Sequence, residues 1–350
     1  MSRPIRWGIL GTAAIARQRT IPAMHAAPSA TPLALASRDA DKCRQVADAL
    51  GIPRAHGSYA ALLADPDIDA VYLPLPNQLH FEWAVRALDA GKHVLCEKPL
   101  CLVAADVAAL CAARERSGRR IEEAFAYRNH PQWAKIGELV ATDAIGAVRS
   151  VHAMLAKQFL DPADIRNNPA AGGGALYDLG SYAISACNLV FGRLPARVIA
   201  AIDRDPRFGI DRLTSALFDY GDGHALFTVG TQAGSASWAT SQQFSVLGSH
   251  GWLRGNFPFA HARPTACRVE LGDATSVGAL PTQQFEFGPA DHYQLQIERF
   301  SRLLLGEPVP EWPIETALDT LRLIEALQES AGSGSWQRVW PQPRPASTPM

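Results

Sequence analysis

Along the first third of the chain, short apolar runs alternate with segments whose apolar residues recur every three to four positions. Residues 6–10, 32–37, 68–73, 92–96 and 120–124 read as strands. Helices are expected from about Ala14, over 41–50, over 79–90 with Gly91 as its stop, and over 102–117. Strands and helices in alternation predict a doubly wound, mostly parallel α/β sheet.

After about residue 125 the pattern changes. Residues 148–155, 197–203, 212–219, 224–230, 242–247 and 252–256 read as strands in succession, with turn signals such as Gly221-Asp222-Gly223 between them. That order predicts an α+β domain with a large, open, mostly antiparallel sheet. Two helices, 292–305 and 314–330, are expected to close it. The division read from the sequence is a Rossmann dinucleotide-binding domain over 1–125, an α+β domain over 126–332, and a loosely ordered tail over 333–350, where Ser, Pro and Gly accumulate.

The first strand runs into Gly11-Thr12-Ala13-Ala14-Ile15-Ala16. A glycine there permits a tight reversal, and the N–H groups of the helix start are placed to cradle a pyrophosphate. The fit to the dinucleotide fingerprint is incomplete, because Ala13 stands at the second glycine position; an ordinary strand-to-helix turn would look much the same. The second strand ends in Ser37-Arg38. An acid at that point suits the ribose 2′-hydroxyl of NAD, and an arginine suits the 2′-phosphate of NADP. Arg38 therefore favours NADP(H) over NAD(H), while Asp39 leaves NAD open if the strand ends later.

Glu97-Lys98-Pro99 follows the strand 92–96, at the sheet end where open α/β folds bind ligands. Lys98 is extended by the following proline, and the Lys-Pro bond is cis or trans as far as sequence shows. Leu73, Pro74, Leu75, Pro76 and Asn77 form the loop after the neighbouring strand. His80 follows on the helix, as a structural histidine or a binding residue.

In the second domain, Gly172-Gly173-Gly174 feeds a helix beginning near Leu176. Asp178 and Tyr182 are spaced i, i+4, which stacks them on one α-helical face. Leu176, Leu179, Ala183, Ala186 and Val190 form its apolar stripe, so the pair sits at the edge of the buried side. A helix-start Asp and an interface-packing Tyr would give the same pattern.

Net charge is −1 with interspersed signs, which offers no basic stripe for nucleic acid. No apolar stretch is long enough for a bilayer, and the first strand begins at once, so neither a membrane span nor a signal peptide is expected. Six cysteines without CxxC pairs fit free cytosolic thiols. No His/Asp/Glu spacing suits a metal, and none is expected.

Taken together, the Gly-Thr turn, the Pro74-Leu75-Pro76-Asn77 loop, Glu97-Lys98-Pro99, Tyr127-Arg128-Asn129-His130-Pro131 and the glycine loop with Asp178 and Tyr182 resemble the family of glucose-fructose oxidoreductase and inositol 2-dehydrogenase. The resemblance covers roughly residues 4–330 and is nearest to NADP-dependent sugar dehydrogenases of the D-xylose 1-dehydrogenase and dihydrodiol dehydrogenase type. It implies an NAD(P)-dependent enzyme acting on a CH–OH group of a carbohydrate-like substrate. Lys98 and Tyr182 would meet over the nicotinamide, with Tyr182 the acid/base and Asp178 orienting the substrate. The cofactor set is then Gly11, Thr12, Ala13, Ala14, Ile15, Ser37, Arg38, Leu73, Pro74, Leu75, Asn77, His80, Glu97 and Lys98. The substrate set is Tyr127, Arg128, His130, Arg166, Asp178 and Tyr182. The family further implies a homodimer or homotetramer through the open sheet and a cytoplasmic location.

Some relatives place histidine where this chain has Tyr182, and these tend to be inositol-type NAD enzymes; the tyrosine points to the sugar or diol branch. The absence of a long arm before Arg3 argues against a secreted enzyme with tightly held cofactor. The favoured expectation is an aldose 1-dehydrogenase-like activity. A reductase of a nucleotide-linked ketosugar is the alternative. A non-catalytic NADP sensor is the third, and a sensor has no need of the Lys98, Asp178 and Tyr182 set.

Overall fold

A computed structural model describes residues 3–236, 241–260, 264–273 and 281–339. It divides into two units, Met1–Asn129 with Asp291–Leu318, and His130–Ala290 with Asp319–Met350. The chain thus returns to its first unit instead of dividing once near residue 125. The reason is apolar: helix His292–Leu304 buries Ile297, Phe300 and Leu303 in the same core as Trp7, Ile9 and Leu35. Trp7 also donates its indole N–H to Ser301 Oγ at 3.1 Å.

The first unit contains six parallel strands: β1 Ile5–Leu10, β2 Ala30–Ala36, β3 Arg54–His56, β4 Ala70–Leu73, β5 His93–Glu97 and β6 Ile121–Ala124. Their order is β3-β2-β1-β4-β5-β6. The order reverses between β1 and β4, and the crevice beyond their carboxyl ends is where such sheets bind dinucleotides. The short edge strand β3 and helix Tyr59–Leu63 escaped the sequence pattern, being only three and five residues long.

The second unit has one nine-stranded sheet. Its strands are β7 Val148–Ala156, β8 Arg197–Arg204, β9 Asp211–Asp219, β10 His224–Gly230, β11 Gln242–Gly248, β12 Gly251–Gly255, β13 Thr265–Asp273, β14 Gln283–Ala290 and β15 Gln337–Arg338. The order is β14-β13-β12-β11-β7-β10-β9-β8-β15, antiparallel except for the β7/β10 pair. Side chains alternate as a pleated, half-covered sheet requires. Val151, Ala153 and Leu155 of β7 are buried with Ala225, Phe227 and Val229 of β10, while His152 and Leu226 face outward.

The described part of the tail, 333–339, carries regular structure. A helix runs Glu315–Ser333, and β15 pairs with Arg197 and Val198 along the edge of β8. The rest of the tail, 340–350, lies outside the described residues.

Candidate active site

The dinucleotide turn starts where β1 ends. Gly11 has φ +116°, a backbone state that side chains rarely adopt. A Cβ there would lie 3.2 Å from Leu75 and 3.7 Å from the Tyr59 hydroxyl. Ala13 does not share that backbone state, so its methyl is accommodated without strain. The chain then enters a wide π-helical turn, Ala16–Thr20, which continues as the α-helix Ile21–Ala26. N–H groups opening such a helix have no intrahelical partner and can receive phosphate oxygens.

At the end of β2, Ser37 is buried and Arg38 exposed. Arg38 lies against the Tyr59 phenol; burial raises the phenol's pKa and the guanidinium pulls it back. Asp39 is committed elsewhere, since its carboxylate accepts from Lys42 N–H at 3.0 Å and caps helix Ala40–Ala49. The acid that left NAD open is thereby turned to the helix, and the local charge offered to a ribose is positive. These residues fit a dinucleotide carrying a 2′-phosphate.

Glu97, Lys98 and Pro99 form a turn fixed on three sides. The Lys98–Pro99 bond is cis. Tyr72 donates to Glu97 Oε1 at 2.6 Å and accepts from Thr20 Oγ1 at 3.1 Å. His80, fully buried, faces the Pro99 carbonyl with Nδ1 and the Leu75 carbonyl with Nε2, both at 2.8 Å. It thus ties the loop of Leu73, Pro74, Leu75 and Asn77 to the lysine turn, and burial lowers its pKa. Glu123, at the end of β6, accepts from Leu100 N–H at 2.9 Å. Burial raises the Glu123 carboxyl's pKa, while Arg128, the Leu100 N–H and Lys98 oppose the rise. Lys98 itself is half-buried.

Tyr127 and Arg128 lie on the short 3-10 turn after β6, both buried. The Arg128 guanidinium stands 4.6 Å from the Phe125 ring and 5.4 Å from the Trp312 ring. His130, in the second unit, caps helix Pro131–Ala141 by accepting from Gln132 N–H at 3.2 Å, and its ring meets Phe287 edge-on.

In the second unit the glycine loop is dictated by two close approaches. A Cβ on Gly173 would lie 2.5 Å from the Arg166 carbonyl, and one on Gly174 (φ +114°) would overlap the Asp211 carboxylate. Asp211 accepts from Leu176 N–H at 2.6 Å and from Thr214 Oγ1 at 3.0 Å, which anchors the start of the helix. Burial pushes its pKa up to about 6, against the pull of those hydrogen bonds.

That start is not α-helical. Leu176–Gly180 is a π turn, followed by α-helix Ser181–Phe191. The i, i+4 stacking argument for Asp178 and Tyr182 assumed 3.6 residues per turn, and the wider turn alters it. The expected stripe of Leu176, Leu179, Ala183, Ala186 and Val190 is buried throughout.

Asp178 is 9% exposed, and Arg166 Nε donates to its Oδ2 at 2.6 Å. The same guanidinium contacts Asp164 at 3.3 Å and lies 4.3 Å from the Phe159 ring. Burial alone would lower the Arg166 pKa, but the two carboxylates outweigh it and raise it. Lys157 Nζ also stands over the Phe159 ring, 5.2 Å from its centroid, its pKa lowered by burial and by Arg166. Tyr182 is partly exposed, its ring edge-on to Phe259.

Sequence reading missed Tyr59, Tyr72, Glu123, Lys157, Asp164 and Asp211. Most are joined to the motifs only through distant chain positions, and no local spacing announces them. Asp164, two residues before Arg166, was the one in reach of a local argument. Among the described residues, no cluster of metal-ligating side chains and no membrane-spanning helix is present.

Residues 5–125 match the model of the GFO/IDH/MocA oxidoreductase family, with NAD-binding Rossmann fold, and residues 133–254 match the GFO/IDH/MocA C-terminal domain. The chain belongs to this family. It is an NAD(P)-binding oxidoreductase with a parallel Rossmann sheet and a second, mostly antiparallel sheet. An uncharacterised oxidoreductase of Rhizobium meliloti is 44% identical over 96% of this chain and 99% of its own length. The D-xylose 1-dehydrogenase (NADP+) 2 of Haloferax volcanii is 40% identical over 94% and 98%. Among solved structures, a 3-ketoreductase from Actinomadura kijaniata with NADP and TDP-benzene superposes with a TM-score of 0.82 at 31% identity, covering 94% of this chain and 98% of that one.

Proposed function

We propose that this oxidoreductase transfers hydride between NADP(H) and a CH–OH carbon of a sugar or related polyol or diol, in the manner of an aldose 1-dehydrogenase. The observation that carries the reading is Asp178, a nearly buried carboxylate fixed by Arg166 on the helix that also bears Tyr182. A fixed carboxylate suits hydroxyl donors of a polyol, and a phenol on the same helix suits their proton.

The N–H groups of Gly11, Thr12, Ala13, Ala14 and Ile15 would hold the pyrophosphate, and Ser37 and Arg38 the 2′-phosphate. Leu73, Pro74, Leu75, Asn77, Glu97 and Lys98 would line the nicotinamide side, with His80 bracing two of these loops. When bound, the cofactor supplies or accepts the hydride. Tyr182 takes the hydroxyl proton in oxidation and returns it in reduction. A free phenol titrates near 10 and is a weak base at neutral pH, so the Lys98 ammonium serves to favour the phenolate. Asp178 orients the substrate hydroxyls. Tyr127, Arg128, His130 and Arg166 support the substrate side, Arg166 by holding Asp178.

Two relatives support the choice of NADP: the Haloferax enzyme by name, and the Actinomadura enzyme by its bound cofactor. The latter's TDP-benzene favours a second reading, reduction of a nucleotide-linked ketosugar. A homodimer or homotetramer would form through the outward face of the second sheet, where a cleft of about 620 Å³ is lined by Met154, Ile199, Leu217 and Leu226. All six cysteines are free, which supports a cytoplasmic location.

The test is a panel of aldoses, beginning with D-xylose, assayed with NADP+, beside a TDP-ketosugar with NADPH. Lys98→Met and Tyr182→Phe should each abolish most turnover while NADPH fluorescence still reports binding. Near-normal turnover in either variant would refute the assigned chemistry.

A further inference from the structure

We propose that Asp211 is a positioning residue for the substrate side: from the start of β9 it clamps the π turn Leu176–Gly180 and sets where that turn presents the Asp178 carboxylate. The inference rests on the reading of Asp178 given above and lies wholly within the second unit.

The loop from Arg166 to Asp178 closes on itself. Arg166 Nε donates to Asp178 Oδ2 at 2.6 Å, Gly174 N–H to the Arg166 carbonyl at 2.9 Å, and Asp178 N–H to the Gly174 carbonyl at 3.2 Å. These bonds fix the shape of the loop without tying it to a strand. Asp211, the first residue of β9, supplies a tie. Its Oδ2 accepts from Leu176 N–H at 2.6 Å, two residues before Asp178, and from the buried Thr214 hydroxyl at 3.0 Å. Gly174 lies so close to the other oxygen, Oδ1, that a Cβ there would overlap it. The carboxylate therefore grips the turn both by a hydrogen bond and by contact.

A helix start needs only a neutral acceptor, and Asn, Ser or Thr serve as well as Asp. Here a buried carboxylate is used, which is costly when ionised. What the charge adds is a firmer grip on the N–H, because charge-assisted bonds are shorter and roughly twice as strong. The titratable and charged groups facing Asp211 are Tyr177 on the turn and Arg204, its register partner on β8. Burial pushes the carboxyl up to about 6, while the Leu176 N–H, Thr214 and Arg204 pull it down.

The grip is thus full above about pH 6 and slackens as the carboxyl takes up its proton below. A slack turn leaves Asp178 less well placed for substrate hydroxyls, so KM should rise as pH falls through this range. Tyr182 stands on the α-helix beyond the turn, and kcat should change less. The residues assigned to the dinucleotide all lie in the first unit, so cofactor binding is kept.

The experiment uses the full chain with Asp211→Asn and Thr214→Val. KM and kcat are measured between pH 5 and 8 with NADP+ and the aldose of the panel that turns over fastest. Asparagine cannot ionise, so at the alkaline end KM should stand roughly three- to tenfold above the parent, the difference between a charged and a neutral hydrogen bond. Parent and variant should converge at the acid end. The kcat and the NADPH Kd by fluorescence stay within about twofold of the parent. Thr214→Val removes a donor to the anion, so its rise in KM should begin at higher pH than the parent's. It decides the matter if Asp211→Asn does not fold. A merely structural anchor would move the melting curves and leave KM and its pH course unchanged, and that result in folded variants would overturn the proposal. A parent-like KM in Asp178→Ala would instead remove the reading beneath it, so the two failures are distinct.

Discussion

Replacing Asp211 with Asn should change how the protein's stability depends on pH. The carboxyl is 7% exposed and pushed up to about 6 by burial, against an ordinary value of 3.8. A carboxyl raised on folding binds its proton more tightly in the folded state. Its favourable contribution is therefore complete below about pH 4 and is lost as pH rises through about 6. The difference of about two pH units corresponds to about 3 kcal/mol, an order-of-magnitude figure. Asn keeps an acceptor for the Leu176 N–H but cannot ionise. Urea melts of the parent and Asp211→Asn at half-unit steps from pH 4 to 8 isolate this group, because every other titration cancels in the difference. The variant should gain on the parent between pH 4 and 6 and hold that gain above. A difference that stays flat across this range would refute the argument that Asp211 is buried as a costly anion.

Arg38→Ala should weaken NADPH binding by roughly ten- to hundredfold, through lost charge-assisted hydrogen bonds, and leave NADH binding near its parent value. Fluorescence titration of the two reduced cofactors checks it, and equal losses for both would refute the 2′-phosphate assignment. Arg166→Met leaves the Asp178 carboxylate without its guanidinium in a largely buried place. A cost of about 2 kcal/mol in thermal or urea melts is expected, reduced from that of a fully buried pair because Arg166 is one-third exposed, together with a raised KM for the aldose. An unchanged KM would show that Arg166 does not act through Asp178.

Much of the first unit was legible because its strands are buried on both faces and its helices are amphipathic. The apolar run of β4 and the periodic helix that follows it appear within two residues of where the pattern puts them. The motif glycines were legible too, since Gly11 and Gly174 stand where the backbone itself turns. What the pattern could not carry was closure over distance. Helix His292–Leu304 reads as amphipathic, but nothing local says that its Phe300 belongs with Trp7, almost three hundred residues earlier. Strands β13 and β14 were passed over because β14 is an edge strand with mostly exposed side chains. The π turn at Leu176–Gly180 was invisible for a related reason: its sequence also satisfies an α-helical stripe, and only the tertiary contacts of Asp211 and Gly174 show where the widening falls. The residues that pin the Glu97-Lys98-Pro99 turn, namely Tyr72, His80 and Glu123, come from two strands and a helix and meet only in the folded sheet.

The two π turns carry a consequence for anyone remodelling this enzyme. Each behaves as a single extra residue lodged in an otherwise ordinary helix, one ahead of Ile21–Ala26 and one that carries Asp178. Substitutions explore side chains around such an insertion without touching it. Removing one residue from 176–180 would let the turn close to α geometry, with the chain on either side keeping its direction while the side chains within the turn, Asp178 among them, are re-aimed relative to Tyr182. Length, more than chemistry, is thus the variable on which the alignment of this helix depends, and libraries built from point changes alone leave it unsampled.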